Sequence, residues 1–409
     1  MSANSRFSPE LAAALAISTT IQILATASVL SGAAIAPLLS ASLGVGGAWI
    51  GYQVSFTYCA GVGASAVAGA LVLRFGPYRI EQALLGAFAL GLLALATGGL
   101  WGFAFGSALI GVGYGLNNPA SSHILNAVTP PALRNLVYSV KQAGVPLGAV
   151  LASLAFPPLA EHFGWRPVFA CAAAAPALAA VALGLRRHDA SFTRVRSTRL
   201  FSKFVAEQRL VWKSPALRSL AALGFLYSAA QLSLSAFAVT MLCQEAGWSL
   251  VAAGGVAALM QAAGALGRVF WGVVADRIGD GFLVLGGLGL ASGGLGAAIV
   301  AFPLLSPLAQ IAILIGLGLC LIGWNGVLLA ETARRAPAGQ VGPTTGAVLV
   351  YIFLGVILGP ASFAALSAGL GGYGYAFAAF GVVTALGAPV ALRARAELAS
   401  LEEATAKAA

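Results

Sequence analysis

The sequence predicts an all-α membrane protein with twelve transmembrane helices, arranged as two repeats of six. Composition is the first indication, because the 409 residues are 59% hydrophobic and only 8% charged, with a mean hydropathy of +0.92. Soluble domains carry about 25% charged residues. The other two indications are twelve apolar stretches long enough to cross a bilayer and landmarks that recur in the same order in both halves.

A spanning helix needs about 20 mainly apolar residues. The qualifying stretches, numbered spans 1 to 12, lie at 11–38, 48–73, 80–101, 103–127, 134–158, 166–186, 217–243, 250–275, 281–303, 306–331, 344–368 and 374–393. A signal peptide is the alternative for the first stretch, but only one basic residue, Arg6, precedes it, so we expect a retained span. Small residues recur every four positions at Gly61-Ser65-Gly69 and Gly111-Gly115, a spacing typical of close helix packing in lipid.

Basic residues orient these spans. With the N-terminus inside, 19 of the 22 Lys and Arg residues fall on the inner side and only Arg166 falls on the outer side. Lys141 and Arg268 remain inside spans. Cytoplasmic loops carry such an excess of basic residues, so we expect both termini in the cytoplasm. The asymmetry also accounts for the net charge of +10 without a nucleic-acid partner.

One long hydrophilic segment follows the sixth span and divides the chain. We therefore predict a first six-helix half at 1–186, a cytoplasmic linker at 187–215 and a second half at 216–409. Within the linker, 199–213 has apolar residues at roughly helical spacing. It is either a basic amphipathic helix on the inner leaflet or a solvated connection.

The two halves repeat each other. The matched landmarks are Gly44 with Gly247, 69–76 with 272–279, Asn118 with Asn325, and 164–169 with 372–377, at offsets of 203, 203, 207 and 208. Because each half has an even number of spans, both halves enter the membrane from the same side. This predicts a parallel repeat about an axis along the membrane normal.

These motifs resemble those of the major facilitator superfamily. The loop motif Gly-x-x-x-Asp-Arg-x-Gly is complete at Gly272–Gly279, whereas the first copy, Gly69–Gly76, has Leu73 in place of Asp. Gly164-Trp-Arg is also typical of the start of a sixth span. The resemblance covers essentially the whole chain. It implies two six-helix bundles around a central cavity, which alternate between inward-open and outward-open states in a secondary transporter.

The resemblance also implies a gating role for the loop motif. Asp276 and Arg277 would lie at an inner helix end and pair across the bundles when the inside is closed. Leu73 removes the carboxylate from the matching position of the first half. The alternative is that these are plain loop charges that orient the helices. The candidate gating residues are Gly69, Arg74, Gly76, Gly272, Asp276, Arg277 and Gly279.

Two cations inside spans are the main candidates for substrate binding, because charge in a membrane span is costly and mostly functional. Lys141 lies seven residues beyond Arg134, and Arg268 lies eight residues before Asp276. Both are therefore about 10–12 Å from the inner face. In the resembled fold, spans 5 and 8 line the cavity. Two cations there, with no buried acid nearby, would repel each other, and a bound anion would relieve that repulsion.

The position of Arg268, four residues before Gly272, is similar to the substrate-binding arginine of oxalate/formate and monocarboxylate transporters. A guanidinium fork matches a carboxylate well. Two alternatives stay open: Lys141 could snorkel to the inner interface, and Arg268 could bond backbone carbonyls as packing.

We expect no acidic residue in the middle of a span, with Glu331 closest, near the inner end of span 10. This expectation disfavours organic cations and proton symport through a carboxylate. His123 is either a proton carrier or a packed side chain. Neutral polar residues complete the candidate site, or else join helices by hydrogen bonds: Gln22, Tyr52, Gln53, Asn117, Asn118, Gln142, Gln231, Gln261, Asn325 and Tyr351.

Our first hypothesis is a secondary transporter of a small organic anion, such as a carboxylate. An exporter of neutral or apolar compounds and a non-transporting membrane receptor are the alternatives. An enzyme is not expected, and neither a nucleotide-binding loop nor a spacing typical of metal ligands is present. We expect no cofactor and no metal, a small-molecule substrate, a lipid environment and a monomer.

Overall fold

The computed structural model describes residues 8–130, 133–185, 208–337 and 340–408, and the regular structure in these ranges is helical. Twelve helices are long and apolar enough to cross a membrane, which confirms the predicted span count. They are Pro9–Ala34, Trp49–Phe75, Pro77–Thr97, Gly99–Val128, Arg134–Phe163, Trp165–Leu185, Pro215–Gln244, Leu250–Ile278, Gly281–Leu304, Pro307–Arg335, Val341–Leu370 and Tyr373–Ser400.

Several spans are interrupted or extended. A short helix, Ala36–Leu43, follows span 1, and single-residue turns divide span 6 at Ala173 and span 12 at Leu386. After the turn at Leu386, the chain of span 12 continues as a helix to Ala408, beyond the predicted end at 393. Span 9 ends in a 3₁₀ segment, Ile299–Leu304. Span 10 is broken by a π-helical segment at Gly318–Ile322, which the sequence did not predict.

The first span of each half begins with the same local signal. Ser8 and Ser214 precede a proline at the first helical position, and each hydroxyl accepts a hydrogen bond from the backbone N–H three residues later. A serine cap satisfies an N–H that the helix leaves open, and proline at this position costs no helical hydrogen bond. Ser306 starts span 10 in the same way.

The boundary between spans 3 and 4 differs from the prediction. Span 3 ends at Thr97 and span 4 begins at Gly99, instead of 101 and 103. Gly98 and Gly99 both have positive φ, at 78° and 77°. Glycine adopts this conformation without steric cost and so allows a very short turn. Since apolar residues continue on both sides, hydropathy alone placed the turn four residues too late.

Backbone conformation supports the predicted repeat. Gly76 and Gly279, which end the two copies of the loop motif, have φ values of 91° and 74°. Gly44 and Gly247, which precede spans 2 and 8, have φ values of 67° and 72°. The repeat is therefore a repeat of backbone geometry as well as of sequence.

Small residues bring spans 2 and 4 together. A Cβ on Gly61, Gly111 or Gly115 would meet backbone atoms of the opposite helix at 3.0 Å or less. The predicted close packing is thus present at these three glycines. It does not extend along the whole stripe, because Ser65 is exposed and a Cβ on Gly69 would meet nothing within 4 Å.

The chain divides into two compact units. The first comprises residues 1–197 and 249–258, and the second comprises residues 198–248 and 259–409. Most of the predicted linker and of its amphipathic segment lies outside the described residues. Its last part, 208–213, is helical, and Val211 there is buried in the core of the second unit.

Candidate functional site

Polar side chains from three spans meet inside the first unit. Asn117 on span 4 donates a hydrogen bond to Gln22 on span 1, with 3.0 Å between Nδ2 and Oε1. The Lys141 ammonium on span 5 donates to Oδ1 of Asn118. Lys141 is only 2% exposed, and Gln22 and Asn117 are buried. We call Gln22, Asn117, Asn118 and Lys141 the first polar cluster.

Glycines on span 5 allow this cluster to form. A Cβ on Gly144 would lie 2.9 Å from Cβ of Gln22, and Gly148 is similarly close to Thr26. Span 5 thereby approaches span 1 beside Gln22, and the segment 143–148 serves helix packing. The burial of Lys141 and its bond to Asn118 also exclude snorkelling, so that alternative is wrong.

The expectation that no acid is buried near the cations is wrong for Lys141. Glu81, near the start of span 3, is 0% exposed and interacts electrostatically with Lys141. Within the part of the chain that the structure describes, neither of its buried carboxyl oxygens has a hydrogen-bond partner. In the sequence, Glu81 lies beside Arg79, close to the inner end of its span. A charged side chain at such a helix end is ordinarily exposed to solvent. The orientation of span 3 turns the side chain inward instead.

The second unit contains a matching polar contact. Oε1 of Gln231 on span 7 accepts hydrogen bonds from Trp324 at 2.9 Å and from Asn325 at 3.3 Å, both on span 10. Gln22 corresponds to Gln231 at an offset of 209. The hydrogen bonds make Asn117, at an offset of 208, the counterpart of Asn325, and so correct the sequence match of Asn118 with Asn325 by one residue. The same glutamine-to-asparagine bond therefore joins the first and fourth spans of each half.

Arg268 lies beside the π-helical break. Its Nε donates to the carbonyl oxygen of Ile322 at 3.4 Å, and Trp271, three residues further along span 8, donates to Leu319 at 2.9 Å. Both carbonyls belong to the π-helical segment. Such segments are rare and occur frequently at functional sites. We call Gln231, Arg268, Ile322, Trp324 and Asn325 the second polar cluster.

Four glycines hold spans 8 and 10 close together at this break. A Cβ on any of them would overlap atoms of the opposite helix: Gly264 and Gly267 on span 8, and Gly318 and Gly323 on span 10. The density of glycine between 316 and 326 was the sequence signal for this feature. Hydropathy alone does not distinguish such a break from a regular span.

The remaining predicted residues have other partners or are exposed. Gln261 bonds Ser235 at 2.9 Å, and Gln53 bonds Ser107 at 2.6 Å. The other members are placed as follows: Tyr351 packs against Trp212, Tyr52 and Gln142 are exposed, and His123 is exposed on span 4.

The predicted gating residues lie at span ends. Asp276 pairs with Arg334 at 3.7 Å within the second unit, and both side chains are largely solvent-exposed. Pairing of Asp276 and Arg277 across the halves stays a prediction. Arg74 and Arg277 are exposed, and a Cβ on Gly272 would meet nothing within 4 Å.

Glu331 forms a buried charge site near the gating residues. It is 2% exposed, and Arg334 and Arg335 lie at 3.0 Å and 3.5 Å from its oxygens. Its position near the inner end of span 10, beside Arg334, agrees with the prediction.

Comparison with known proteins agrees with this architecture. The family model described as "Major Facilitator Superfamily" matches residues 15–360. The probable nitrate/nitrite transporter NarK2 of Mycobacterium tuberculosis is 29% identical over 320 residues, which cover 75% of this chain and 73% of that protein. The 3-(3-hydroxy-phenyl)propionate transporter of Escherichia coli is 36% identical over 108 residues, 25% of this chain and 26% of that protein.

Among solved structures, a bacterial homolog of the human lysosomal transporter Spinster superposes with a TM-score of 0.76 at 16% identity, covering 96% of both chains. This likeness concerns the fold. The family model covers most of this chain, and the two relatives named above are transporters rather than enzymes. The chain is therefore a multi-pass membrane transporter that belongs to the Major Facilitator Superfamily.

Proposed function

We propose that this transporter moves a small planar oxyanion, in the first place a carboxylate, across the cytoplasmic membrane by alternating access. Nitrate belongs to the same geometric class, since its oxygens are also coplanar and accept two parallel hydrogen bonds from a guanidinium. Arg268 in the second unit would bind the anion directly, and Lys141 in the first unit is proposed as a separate cation that an anion can contact.

The observation that carries this proposal is the place of Arg268. Span 8 ends at Ile278, ten residues after Arg268. The Arg268 side chain is half-buried and contacts the π-helical break of span 10. The Arg268 Nε carries a single hydrogen and donates it to Ile322, a backbone contact that the packing alternative for Arg268 also expects. A cation at this depth in a membrane helix is costly and is kept mainly where it serves binding or transport.

The balance of charge also supports an anion. Among the described residues, the buried Glu331 is paired with Arg334 and Arg335, and the buried Glu81 interacts electrostatically with Lys141. Glu81 removes the argument that organic cations are excluded by a lack of buried acids. An ionised Glu81 would be balanced by the Lys141 ammonium, so the first polar cluster would offer no net negative charge to a cation.

The relatives support the same substrate class, because one is named for nitrate and nitrite and another for an arylpropionate. We further propose both termini in the cytoplasm, from the distribution of basic residues. The domain boundaries proposed are six-helix bundles at 1–186 and 216–409, joined by a linker at 187–215.

The test is uptake by purified protein in liposomes. Labelled nitrate, nitrite and 3-(3-hydroxyphenyl)propionate are offered to wild type, Arg268→Ala, Arg268→Lys and Arg218→Ala. The last variant is the matched control, because Arg218 is an exposed arginine near the start of span 7. Size-exclusion profiles confirm that each variant is folded before uptake is compared.

We expect saturable uptake of at least one of these anions by wild type and by Arg218→Ala. Loss of a half-buried, hydrogen-bonded charge that contacts the anion should lower uptake by Arg268→Ala at least about tenfold. Arg268→Lys should retain an intermediate rate, because an ammonium keeps the charge but not the planar fork. Uptake by Arg268→Ala at the wild-type rate would reject Arg268 as the binding residue and favour a neutral substrate.

A further inference from the structure

Trp271, three residues beyond Arg268 on span 8, holds a backbone carbonyl of the π-helical break. Its indole Nε1 donates to the carbonyl oxygen of Leu319 at 2.9 Å. Leu319 is the second residue of the break, and Ile322 is its last. The Ile322 carbonyl accepts from Nε of Arg268 at 3.4 Å. The two side chains therefore contact opposite ends of the same short segment, and nothing in the proposed anion binding uses Trp271.

A π-helical break changes the donors that the backbone carbonyls of a helix receive. In a regular α-helix each carbonyl accepts from the N–H four residues later, whereas a π-helical turn shifts this pattern by one residue. In span 10 the regular helix resumes at Asn325. Because an unsatisfied carbonyl is costly within a membrane, side-chain donors stabilise such a break. Trp271 and Arg268 supply donors of this kind.

The break also lies directly against the backbone of span 8. A Cβ on Gly267 would overlap the carbonyl oxygen of Leu319, and a Cβ on Gly323 would lie 2.9 Å from Cδ1 of Trp271. The indole ring thus touches the end of the break, while its N–H bonds a carbonyl within the break. These contacts resist rotation of the segment about the axis of span 10.

The orientation of Arg268 follows from the position of the Ile322 carbonyl. Nε lies in the plane of the guanidinium group, so a bond from Nε to a fixed acceptor sets the plane of the whole group. An anion held by two parallel hydrogen bonds needs that plane to be set. If the break rotates, the Ile322 carbonyl moves and the guanidinium plane turns with it.

We infer that Trp271 is a positioning residue that acts through Arg268. Its hydrogen bond to Leu319 fixes the π-helical break, and the break fixes the guanidinium plane through the Ile322 carbonyl. This inference rests on the proposed function, since it needs Arg268 to bind the anion. Trp271 itself makes no contact with the anion. A guanidinium that is already oriented loses less freedom on binding, so Trp271 raises affinity without adding a contact.

The test compares two tryptophans that join the same two spans. Trp271→Phe removes the indole N–H at the break and keeps an aromatic ring. Trp248→Phe is the matched control, because Trp248, just before span 8, donates to Gln310 on span 10 at 2.6 Å, eight residues before the break. Uptake of nitrate, nitrite and 3-(3-hydroxyphenyl)propionate into liposomes gives KM and the maximal rate for wild type and for each variant.

Both substitutions remove one indole hydrogen bond and should lower thermal stability by similar amounts. Trp271→Phe should in addition raise KM about two- to tenfold, the factor that one hydrogen bond contributes, with a maximal rate close to that of wild type. Trp248→Phe should keep the wild-type KM. An equal rise in KM for both variants would assign the effect to general loosening between spans 8 and 10 and would reject the inference.

A double-mutant cycle shows whether Trp271 acts through Arg268. Arg268→Lys keeps a positive charge but has no planar fork to orient. Adding Trp271→Phe should therefore change KM little in the Arg268→Lys background, so that the two effects are not additive. The same rise in KM in both backgrounds would reject Arg268 as the group through which Trp271 acts.

Failure of this inference is distinguishable from failure of the proposed function. If wild type takes up none of the anions, or if Arg268→Ala transports at the wild-type rate, the proposed function fails and this inference fails with it. If Arg268→Ala loses uptake while Trp271→Phe keeps the wild-type KM, the anion proposal stands and the positioning role is rejected.

A measurement on wild type decides the question even if Trp271→Phe does not fold. Backbone hydrogen exchange is followed at 318–327 with and without the transported anion. A break that Trp271 already fixes should exchange at the same rate in both conditions. Exchange that slows when the anion binds would show that the anion orders the break, and it would reject the inference.

Discussion

Replacing Gly115 by alanine tests whether spans 2 and 4 are held together by contact between their backbones. A Cβ at Gly115 would lie 2.7 Å from the carbonyl carbon of Gly61 and 3.0 Å from its Cα. Carbon atoms prefer separations of about 3.5–4.0 Å. The two helices would have to separate by about 1 Å to accept the added methyl group.

The expected cost follows from this overlap. Overpacking of a tight interface destabilises a protein by about 1–3 kcal/mol. The backbone of Gly61 cannot move aside as a flexible side chain can. We therefore expect Gly115→Ala to cost an amount in the upper part of this range. For a unit of this size, a cost of about 2–3 kcal/mol lowers the midpoint of thermal unfolding by roughly 4–12 °C.

Thermal unfolding is measured in detergent. The readout is the size-exclusion peak that remains after heating to each temperature. Gly63→Ala is the matched control, because Gly63 lies on span 2 and a Cβ there would meet nothing within 4 Å. Alanine is also favoured over glycine in a helix by about 1 kcal/mol, so the control should be neutral or slightly more stable. If Gly115→Ala melts within about a degree of Gly63→Ala, the close packing of spans 2 and 4 is wrong.

Two further substitutions test hydrogen bonds in the second unit. The Glu245 carboxylate accepts the backbone N–H groups that open span 12, so Glu245→Gln should lower stability by about 1–2 kcal/mol in the same thermal assay, whereas Glu161→Gln, at an exposed position, should not. Equal melting of both variants would contradict a capping role. The buried Tyr227 hydroxyl donates to the Leu285 carbonyl at 2.7 Å, so Tyr227→Phe should cost about 1 kcal/mol. Tyr375→Phe, at a side chain that is 57% exposed, should melt as wild type does, and a Tyr227→Phe variant that does the same would refute this bond.

Much of the architecture could be predicted from the sequence because length and composition decide whether a helix can cross a bilayer. The twelve spans and the repeat of the halves rest on such features. The glycines at 44, 76, 247 and 279 are an example, since their positive φ values follow from a residue type that tolerates this conformation. Position along a span was likewise readable, which is why Lys141 and Arg268 were recognised as cations inside spans.

The contacts of these cations depended on the tertiary structure. The sequence gives the position of a residue along a span, but not the direction in which its side chain points, because membrane helices are apolar on all sides and lack an amphipathic pattern. Glu81 illustrates this, since it lies near the start of span 3 but its side chain is fully buried. The π-helical break beside Arg268 is the second example, because it arises where spans 8 and 10 meet at glycines. Rotation and close approach are properties of packed helices, so only the folded chain decides them.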